Sequence, residues 1–290
     1  MVEYSEPIIV IAGPTASGKS SIALKLAKEI NGVIINADSR QVYKELLIGT
    51  ARPTGNEMDN IPHHLYGHIS VKKKYNIYRY QKDVAEVLKS LPPNQTPILV
   101  GGTGLYIDSV VFNYILKENN FDSEKRQHLE SKSIEELHKI IPKDILDTLN
   151  QSDRNNKRRL VRVIEKNNTI QERGQQLNHI YFVVDIPPTR LKERIVQRVD
   201  KMFAKGLVEE NTKLREAGLE GYPALQTIGY QEFDSYFKKG KNLKEIKEEI
   251  INHTNQYAKR QRTWFRRHNH AIWINTYEEV LEKSLKLIRT

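Results

Sequence analysis

The chain has 290 residues, of which 38% are hydrophobic and 28% are charged. It contains no cysteine, which excludes disulfide bonds and cysteine-ligated zinc and fits a reducing cytoplasm. Lysine and arginine (46) outnumber aspartate and glutamate (36), and this excess favours a polyanionic partner. No apolar run approaches the roughly 20 residues that cross a bilayer, so we expect a cytoplasmic protein without a membrane partner or secretory leader.

The first third of the chain alternates between predicted strands and helices. Residues 8–12 are a run of apolar residues, typical of a strand buried on both faces. Apolar residues then recur at helical spacing from Ile22 to Ile30, and Gly32 is the expected helix stop. Because strands and helices alternate, the sequence predicts an α/β fold with a parallel sheet and flanking helices. Further elements are predicted at residues 33–37 (strand), 78–91 (helix) and 97–100 (strand).

The middle of the chain differs, because residues 116–178 are polar and helix-rich with few strand signals. Ser133 and Glu136 have the spacing of a capping box at the start of one of these helices. We therefore predict an α/β core formed by residues 1–115 and 179–290, interrupted by an all-helical insertion domain at 116–178. Later elements of the core are predicted at 181–186 (strand), 191–202 (helix), 243–265 (helix) and 271–275 (strand).

The strongest motif stands between the first predicted strand and helix and matches G-x-x-x-x-G-K-[ST], the phosphate-binding P-loop. In such a loop, backbone N–H groups and the helix N-terminus surround an anion, a lysine adds positive charge, and a serine can ligate Mg²⁺. The motif predicts a P-loop nucleoside-triphosphatase-like fold that binds a diphosphate or triphosphate, but it does not identify the ligand. Its residues are Gly13, Pro14, Thr15, Ala16, Ser17, Gly18, Lys19 and Ser20.

Asp38 follows the strand at 33–37, at the sheet edge where ligands collect in α/β folds. Three roles are open for it: a Mg²⁺ ligand in a nucleotide-binding site such as one for ATP, a proton acceptor, or the cap of a helix. The strand at 97–100 ends in Gly101-Gly102 rather than in aspartate, and no Asn-Lys-x-Asp sequence occurs. These absences weigh against nucleotide hydrolysis and against a GTPase.

Two basic clusters fit the charge excess. In the first, Arg154, Arg158 and Arg162 recur every four residues and predict one face of a helix, opposite an apolar side. The second surrounds Trp264 near the end of the long helix. Such clusters either contact phosphates and stack on unpaired bases or are simply solvated. We interpret the pair His63-His64 as structural, because no carboxylate stands nearby at metal-ligand spacing.

Six motifs in order along the chain resemble the bacterial tRNA dimethylallyltransferase family. The resemblance implies that the P-loop holds dimethylallyl diphosphate with Mg²⁺, and that the prenyl group goes to N6 of adenosine-37, next to the anticodon. The substrates would be tRNAs that read codons beginning with U. The insertion and the C-terminal helices would grip the anticodon stem-loop in a monomeric enzyme. The motifs are residues 13–20, 36–43, 61–65, 100–106, 229–232 and 257–266.

The resemblance also implies roles for single residues. Asp38 would be the general base, Thr103 would lie at the reaction centre, Lys19 would stabilise the leaving group, and Ser20 would ligate Mg²⁺. The chain departs from the family at Gln226, where some members carry an arginine that holds the diphosphate. The resemblance and the basic clusters together predict a tRNA-binding set: Asp38, Ser39, Arg40, Gln41, Thr103, Arg126, Arg158, Arg159, Leu160, Val161, Arg162, Lys259, Arg260, Arg262 and Trp264.

Two other hypotheses use the same motifs. A kinase for a nucleotide or small metabolite would place Asp38 on Mg²⁺, whereas a non-catalytic RNA-binding protein would depend on the basic helices alone. The absence of an aspartate after residues 97–100 argues against the kinase, and the polar side chains around Asp38 argue against pure binding.

Overall fold

The computed structural model describes residues 2–116, 123–165 and 172–289, and it divides into two compact units. We call Met1–Asn113 with Gly174–Thr290 the core unit, and Tyr114–Arg173 the insertion unit. Residues 174–178, which the sequence analysis places in the insertion, lie in the core unit because Leu177 is buried and its N–H donates to the Val111 carbonyl. None of the helices in the described ranges is long and apolar enough to cross a membrane.

Across the described residues, six strands form one sheet in the order β3-β2-β4-β1-β5-β6, with every pair parallel. All five residues of β1 are buried, as expected for an apolar strand covered on both faces. The parallel sheet confirms the predicted α/β fold. The strands are β1 (Ile8–Ala12), β2 (Gly32–Asn36), β3 (His63–His64), β4 (Thr96–Gly101), β5 (His179–Val184) and β6 (Ile272–Ile274).

Helices connect these strands and form the whole of the insertion's regular structure among the described residues. They are α1 (Lys19–Glu29), α2 (Gly55–Met58), α3 (Ile77–Ser90), α4 (Gly104–Val111), α5 (Ser123–Ser131), α6 (Ile134–Ile140), α7 (Lys143–Thr148), α8 (Gln151–Arg154), α9 (Lys157–Glu165), α10 (Pro188–Ala204), α11 (Leu207–Glu216), α12 (Phe233–Lys239), α13 (Leu243–Phe265) and α14 (Tyr277–Arg289).

The main core of the sheet forms where α1 packs against it. Ala23, Leu26 and Ala27 are the buried residues of α1, and they join Ile9 and Ile34 in one apolar cluster. Burying a side chain such as Leu26 contributes about 1.5–3 kcal/mol. This packing holds the start of α1 directly at the carboxyl end of β1.

Two predicted boundaries differ from the structure. Gly32 is not the stop of α1, because Asn31 already turns the chain with a φ of 51° and Gly32 begins β2. The helix predicted at 191–202 begins three residues earlier in the structure. Pro188 is itself the first residue of α10, a position where its missing N–H costs nothing.

The insertion unit has its own apolar cluster. Ser133 and Glu136 form the predicted capping box at the start of α6. The predicted helix carrying Arg154, Arg158 and Arg162 is interrupted: Arg154 ends α8, and the Asn156 side chain accepts the N–H of Arg159 at the start of α9. The cluster's buried members are Leu129, Leu137, Ile141, Leu160, Val161 and Ile164.

Candidate active site

Residues 13–18 form a loop between β1 and α1, which we call the glycine loop. Gly18 has a φ of 95°, a left-handed conformation that a side chain disfavours, and it caps the N-terminus of α1. The Ser17 N–H donates to the Pro14 carbonyl at 3.2 Å. The free N–H groups at a helix N-terminus and the helix dipole make this loop suitable for an anion.

Lys19, the first residue of α1, turns back over this loop, and its Nζ donates to the Pro14 carbonyl at 3.3 Å. Burial lowers the pKa of Lys19 to about 8; the Asp38 carboxylate opposes this shift and the Arg198 guanidinium adds to it. A bound anion would favour the charged form of this lysine, because it would replace lost solvation with an opposite charge.

Asp38 lies just beyond β2, and backbone contacts hold it there. Its N–H donates to the Asn36 Oδ1 at 2.9 Å, and its own Oδ1 accepts the Arg40 N–H at 2.9 Å. Within the described residues, the Oδ2 atom of Asp38 has no hydrogen-bond partner. One carboxylate oxygen is therefore fixed by the loop, and the other is available to a substrate.

Thr103 joins this loop from the end of β4. Its N–H donates to the Ala37 carbonyl at 3.1 Å, and its Oγ1 accepts the Ser39 N–H at 3.0 Å. The parallel pairing of β2 with β4 brings these residues together at one sheet edge. Gln41 has a different position, since its Nε2 donates to the carbonyls of Thr50 and Ala51. Arg40 is partly buried.

Helix α13 contributes two polar residues to the site that the sequence analysis does not single out. The Thr15 N–H donates to Gln261 Oε1, and Gln261 Nε2 donates to the Gly102 carbonyl, both at 2.8 Å. One turn earlier, Tyr257 lies near Thr103; burial raises the pKa of Tyr257 to about 12, and the Thr103 side chain opposes this shift. Two signals in the sequence could have found them: both residues lie in the motif at 257–266, and they stand four apart, in phase with buried Phe265.

Helix α10 contributes two arginines that the sequence analysis also overlooks. Arg194 Nη1 donates to the Ser17 carbonyl at 3.0 Å, and Arg198 Nη2 donates to the Thr50 carbonyl at 2.9 Å. Arg194 and Arg198 stand one turn apart and so lie on the same face of α10, where Arg194 contacts the glycine loop and Arg198 contacts Thr50. By contrast, Gln226 is exposed at the end of a short 3₁₀ helix.

Two predicted tRNA-binding residues of α13, Arg262 and Trp264, form hydrogen bonds within the core unit. Arg262 binds the Ile186 carbonyl at 2.9 Å and pairs with Asp185 at 3.2 Å. Trp264 Nε1 donates to Asp108 at 2.9 Å, and its ring packs so close to Gly104 that a Cβ there would lie 2.2 Å from it. These contacts help to hold α13 in place, and tRNA binding by Arg262 and Trp264, both partly exposed, stays a prediction. Lys259 and Arg260 are exposed.

The predicted tRNA-binding residues of the insertion unit divide in the same way. Arg158 and Arg162 are exposed, whereas Leu160 and Val161 have no exposed surface, so their inclusion in the binding set is wrong for the side chains. Their apolar side chains form the unit's core. The remaining two arginines form ion pairs: Arg159 with Asp153, and Arg126 with Glu130 and Glu165.

The pair His63-His64 has the structural role that we predict. It forms β3, which pairs with β2, and His63 Nδ1 lies 2.7 Å from the Ile61 carbonyl.

Comparison with known proteins identifies the chain's family. The family model described as IPP transferase matches residues 41–268. The chain belongs to the IPP transferase family. Two relatives of this chain are named tRNA dimethylallyltransferase. The one from Carboxydothermus hydrogenoformans is 37% identical over 99% of this chain and 97% of its own. The one from Anoxybacillus flavithermus is 37% identical over 95% of this chain and 92% of its own.

Solved structures agree with this assignment. The full-length tRNA isopentenylpyrophosphate transferase from Bacillus halodurans superposes with a TM-score of 0.77 at 31% identity, covering 98% of this chain and 97% of that one. A eukaryotic dimethylallyltransferase described as acting on tRNA superposes with a TM-score of 0.76 at 28% identity, covering 90% of this chain and 70% of that one. Membership of the IPP transferase family confirms the predicted resemblance and the prenyltransferase class, and it disfavours the kinase and the non-catalytic RNA-binding protein.

Proposed function

We propose that this protein transfers the dimethylallyl group of dimethylallyl diphosphate to N6 of adenosine-37 in tRNAs that read codons beginning with U. The product is N6-dimethylallyladenosine. One observation carries the proposal: the glycine loop with Lys19 and the Asp38–Thr103 pair follow neighbouring parallel strands, β1, β4 and β2, at their carboxyl ends. An anion site beside a held carboxylate suits transfer from a diphosphate to a weakly acidic amine.

The glycine loop and Lys19 account for the donor side. In the transfer, the bond between C1 of the allyl group and the diphosphate oxygen breaks, and its electron pair goes to that oxygen. The loop N–H groups and the Lys19 ammonium stabilise the charge that develops there. Because these donors are fixed before the reaction, little reorganisation is needed as the bond breaks.

Asp38 accounts for the acceptor side. The adenine N6 lone pair is delocalised into the ring, so the amine is a weak nucleophile until it loses a proton. As the new bond between N6 and C1 forms, the free Oδ2 of Asp38 accepts the N6 proton, a step worth about 10²–10⁴-fold in rate. Thr103 and Ser39 hold this loop, and their hydroxyls lie 3.3 Å apart beside Asp38. The adenine must leave the anticodon stack to reach them.

The residues present fit a Mg²⁺ ion bound mainly through the substrate. The described residues contain no group of three or more histidines, aspartates or glutamates that could hold a metal. Mg²⁺ commonly takes one or two protein oxygens and completes its shell with phosphate oxygens and water. The exposed Ser20 hydroxyl, on the first turn of α1, is the residue that would hold it. When bound, the ion would neutralise charge on the leaving diphosphate.

The surface charge accounts for tRNA binding. The chain carries a net charge of +10, and Arg158 and Arg162 on α9 and Lys259 and Arg260 on α13 are exposed. Exposed cations contact phosphates and give salt-dependent affinity. We therefore propose that these four residues contact the anticodon stem-loop.

The donor is the feature that separates this proposal from its alternatives. The protein is incubated with unmodified tRNA and either radiolabelled dimethylallyl diphosphate or ATP labelled on its γ-phosphate, in the presence of Mg²⁺. We expect the allyl label to enter tRNA and the ATP to remain intact. Consumption of ATP without prenyl transfer would contradict the proposal in favour of a kinase. Binding of tRNA without either reaction would favour a non-catalytic RNA-binding protein.

A further inference from the structure

Three consecutive lysines, Lys72–Lys74, stand in the loop that follows β3 and have no role in the function proposed above. All three side chains are exposed. Because β3 is parallel to β2, this loop leaves the sheet at the same edge as the segment that carries Asp38. Ligands of open α/β sheets bind at this edge, so the lysines are well placed to meet a substrate.

Backbone contacts join the lysine loop to the Asp38 segment. The Gly67 N–H donates to the Gln41 carbonyl at 2.9 Å, and the Lys44 N–H donates to the Ile69 carbonyl at 2.8 Å. The first of the three lysines is three residues beyond Ile69, so the two Cα atoms are at most about 11 Å apart. Lys44 is exposed as well and adds a fourth cation to this surface. We call Lys44 and Lys72–Lys74 the lysine ridge.

The three consecutive lysines of the ridge are fixed on both sides by the core unit. Just before them, the Ser70 hydroxyl donates to Glu45 Oε1 at 2.6 Å, and the N–H of buried Val71 donates to Glu45 Oε2 at 3.0 Å. The Lys73 N–H donates to the Ser70 carbonyl at 2.9 Å, which turns the chain. Just after them, Asn76 caps α3. A backbone that is ordered before binding loses less entropy when a partner docks.

The charge of the lysine ridge is not balanced by the protein. In the described part of the chain, none of its four lysines forms an ion pair with a carboxylate. The Glu45 carboxylate contacts the loop but already accepts from the two residues before the lysines. Asp83 accepts the hydroxyl of Tyr75, the residue after them, at 2.7 Å. Four like charges held together produce a positive potential, which favours a polyanion.

We propose that the lysine ridge is an RNA-binding surface of the core unit and that it contacts phosphates of the tRNA strand next to the target adenosine. This inference rests on the proposed function for the identity of the polyanion. The reaction brings an unpaired adenine to Asp38, and the ridge is joined to the Asp38 segment, so the strand that flanks this adenine passes the ridge. Lysine is a point charge that binds phosphates without reading bases, so the ridge contributes affinity and not base recognition.

The test compares two sets of three exposed lysines. One variant changes Lys72–Lys74 to Gln, and the control changes Lys89, Lys238 and Lys239 to Gln, so the net charge falls equally. Lys89 lies in the last turn of α3, before β4 begins and so at the opposite edge of the sheet. The other two end α12, just before the start of α13, which is about 27 Å from Gln261 at 1.5 Å per residue.

Affinity for an isolated anticodon stem-loop is measured by fluorescence anisotropy across a salt titration. We expect the ridge variant to bind about 10- to 100-fold more weakly at low salt, and its salt slope to fall by about one for each lysine that contacts a phosphate. In transfer assays, the KM for tRNA should rise while the single-turnover rate at saturating tRNA is retained, because the lysines take no part in bond breaking. The control should bind within about twofold of the original protein.

A solvated ridge without a partner would give a different result. Stem-loop affinity of the ridge variant within about twofold of the original would overturn the proposal. An equal loss of affinity in the control would also overturn it, because the effect would then be one of net charge. A transfer rate that stays low at saturating tRNA would overturn it too, because the lysines would then act on the site itself.

The same measurements separate this inference from the proposed function. If the unaltered protein transfers the prenyl group and the ridge variant binds the stem-loop equally well, the inference is wrong and the function stands. If the unaltered protein binds the stem-loop through the ridge but transfers no prenyl group, the proposed function is wrong and the RNA-binding surface stands.

Discussion

Asp38 has one carboxylate oxygen that accepts the Arg40 N–H and one that has no hydrogen-bond partner among the described residues, and this asymmetry limits what the residue can do. A general base needs one free oxygen within reach of the acceptor, whereas a metal ligand needs an oxygen directed at the diphosphate. Burial lowers the pKa of Lys19 and the Asp38 carboxylate opposes this shift, so Asp38 is electrostatically coupled to the lysine of the glycine loop. The two roles make different predictions for the same substitution.

Asp38→Asn keeps the size and most hydrogen bonds of the side chain but removes its capacity to accept the N6 proton. We expect the single-turnover rate to fall by about 10²–10⁴-fold while the affinity for dimethylallyl diphosphate with Mg²⁺ changes little. Rate and affinity are measured across a Mg²⁺ titration. If extra Mg²⁺ restored the rate, Asp38 would be a metal ligand and the base assignment would be wrong.

Lys19 gives a prediction about pH. Because burial lowers its pKa to about 8, the side chain is charged below that pH and loses its charge as the pH rises through it. Affinity for inorganic diphosphate, measured by calorimetry, should therefore fall as the pH rises through about 8. Lys19→Arg keeps its charge throughout this range and should lack that decrease. Superimposable pH profiles of the two proteins would contradict the assignment.

At the scale of elements, the two faces of helix α13 have different roles. Tyr257, Gln261 and Trp264 contact the glycine loop, Thr103 or α4, whereas Lys259 and Arg260 are exposed. The sequence pattern of aromatic and basic residues suggests a single RNA-binding surface, but the contacts divide it. The inner face holds the two loops of the candidate site together.

Trp264→Phe tests the inner face. Phenylalanine keeps most of the packing on Gly104 but leaves the buried Asp108 without the indole N–H. We expect the free energy of unfolding, measured with denaturant, to fall by about 1–3 kcal/mol, while tRNA affinity changes little. Unaltered stability combined with weaker tRNA binding would instead make Trp264 an RNA contact.

Helix α9 presents the corresponding prediction in the insertion unit. Changing both Arg158 and Arg162 to Glu should weaken tRNA binding strongly and flatten its dependence on salt, because fewer counter-ions are released. Diphosphate affinity should not change. The matched control changes the exposed Lys139 and Lys143 to Glu, which alters the net charge equally. If both double variants lost the same affinity, the effect would be one of net charge and not of α9.

Across the whole molecule, the sequence predicted those elements whose structure depends on residues that are close together in the chain. Three features were predictable: the apolar run of β1, the motif after it and the full length of α13. Each depends on strand burial, a glycine turn or helical spacing, which neighbouring residues determine. The break between α8 and α9 was missed because one asparagine side chain caps the second helix. Gln261 and Arg198 were missed because their partners, Thr15 and Thr50, lie far away in sequence.

The atom that receives the prenyl group tests the proposed reaction most directly. A tRNA transcript with adenosine at position 37 is incubated with the protein, dimethylallyl diphosphate and Mg²⁺, then digested to nucleosides and analysed by mass spectrometry beside a transcript carrying guanosine there. We predict N6-dimethylallyladenosine in the first digest, with one diphosphate released per group transferred, and no prenylated nucleoside in the second. Prenylation at another atom or position, or none in either transcript, would contradict the proposed reaction.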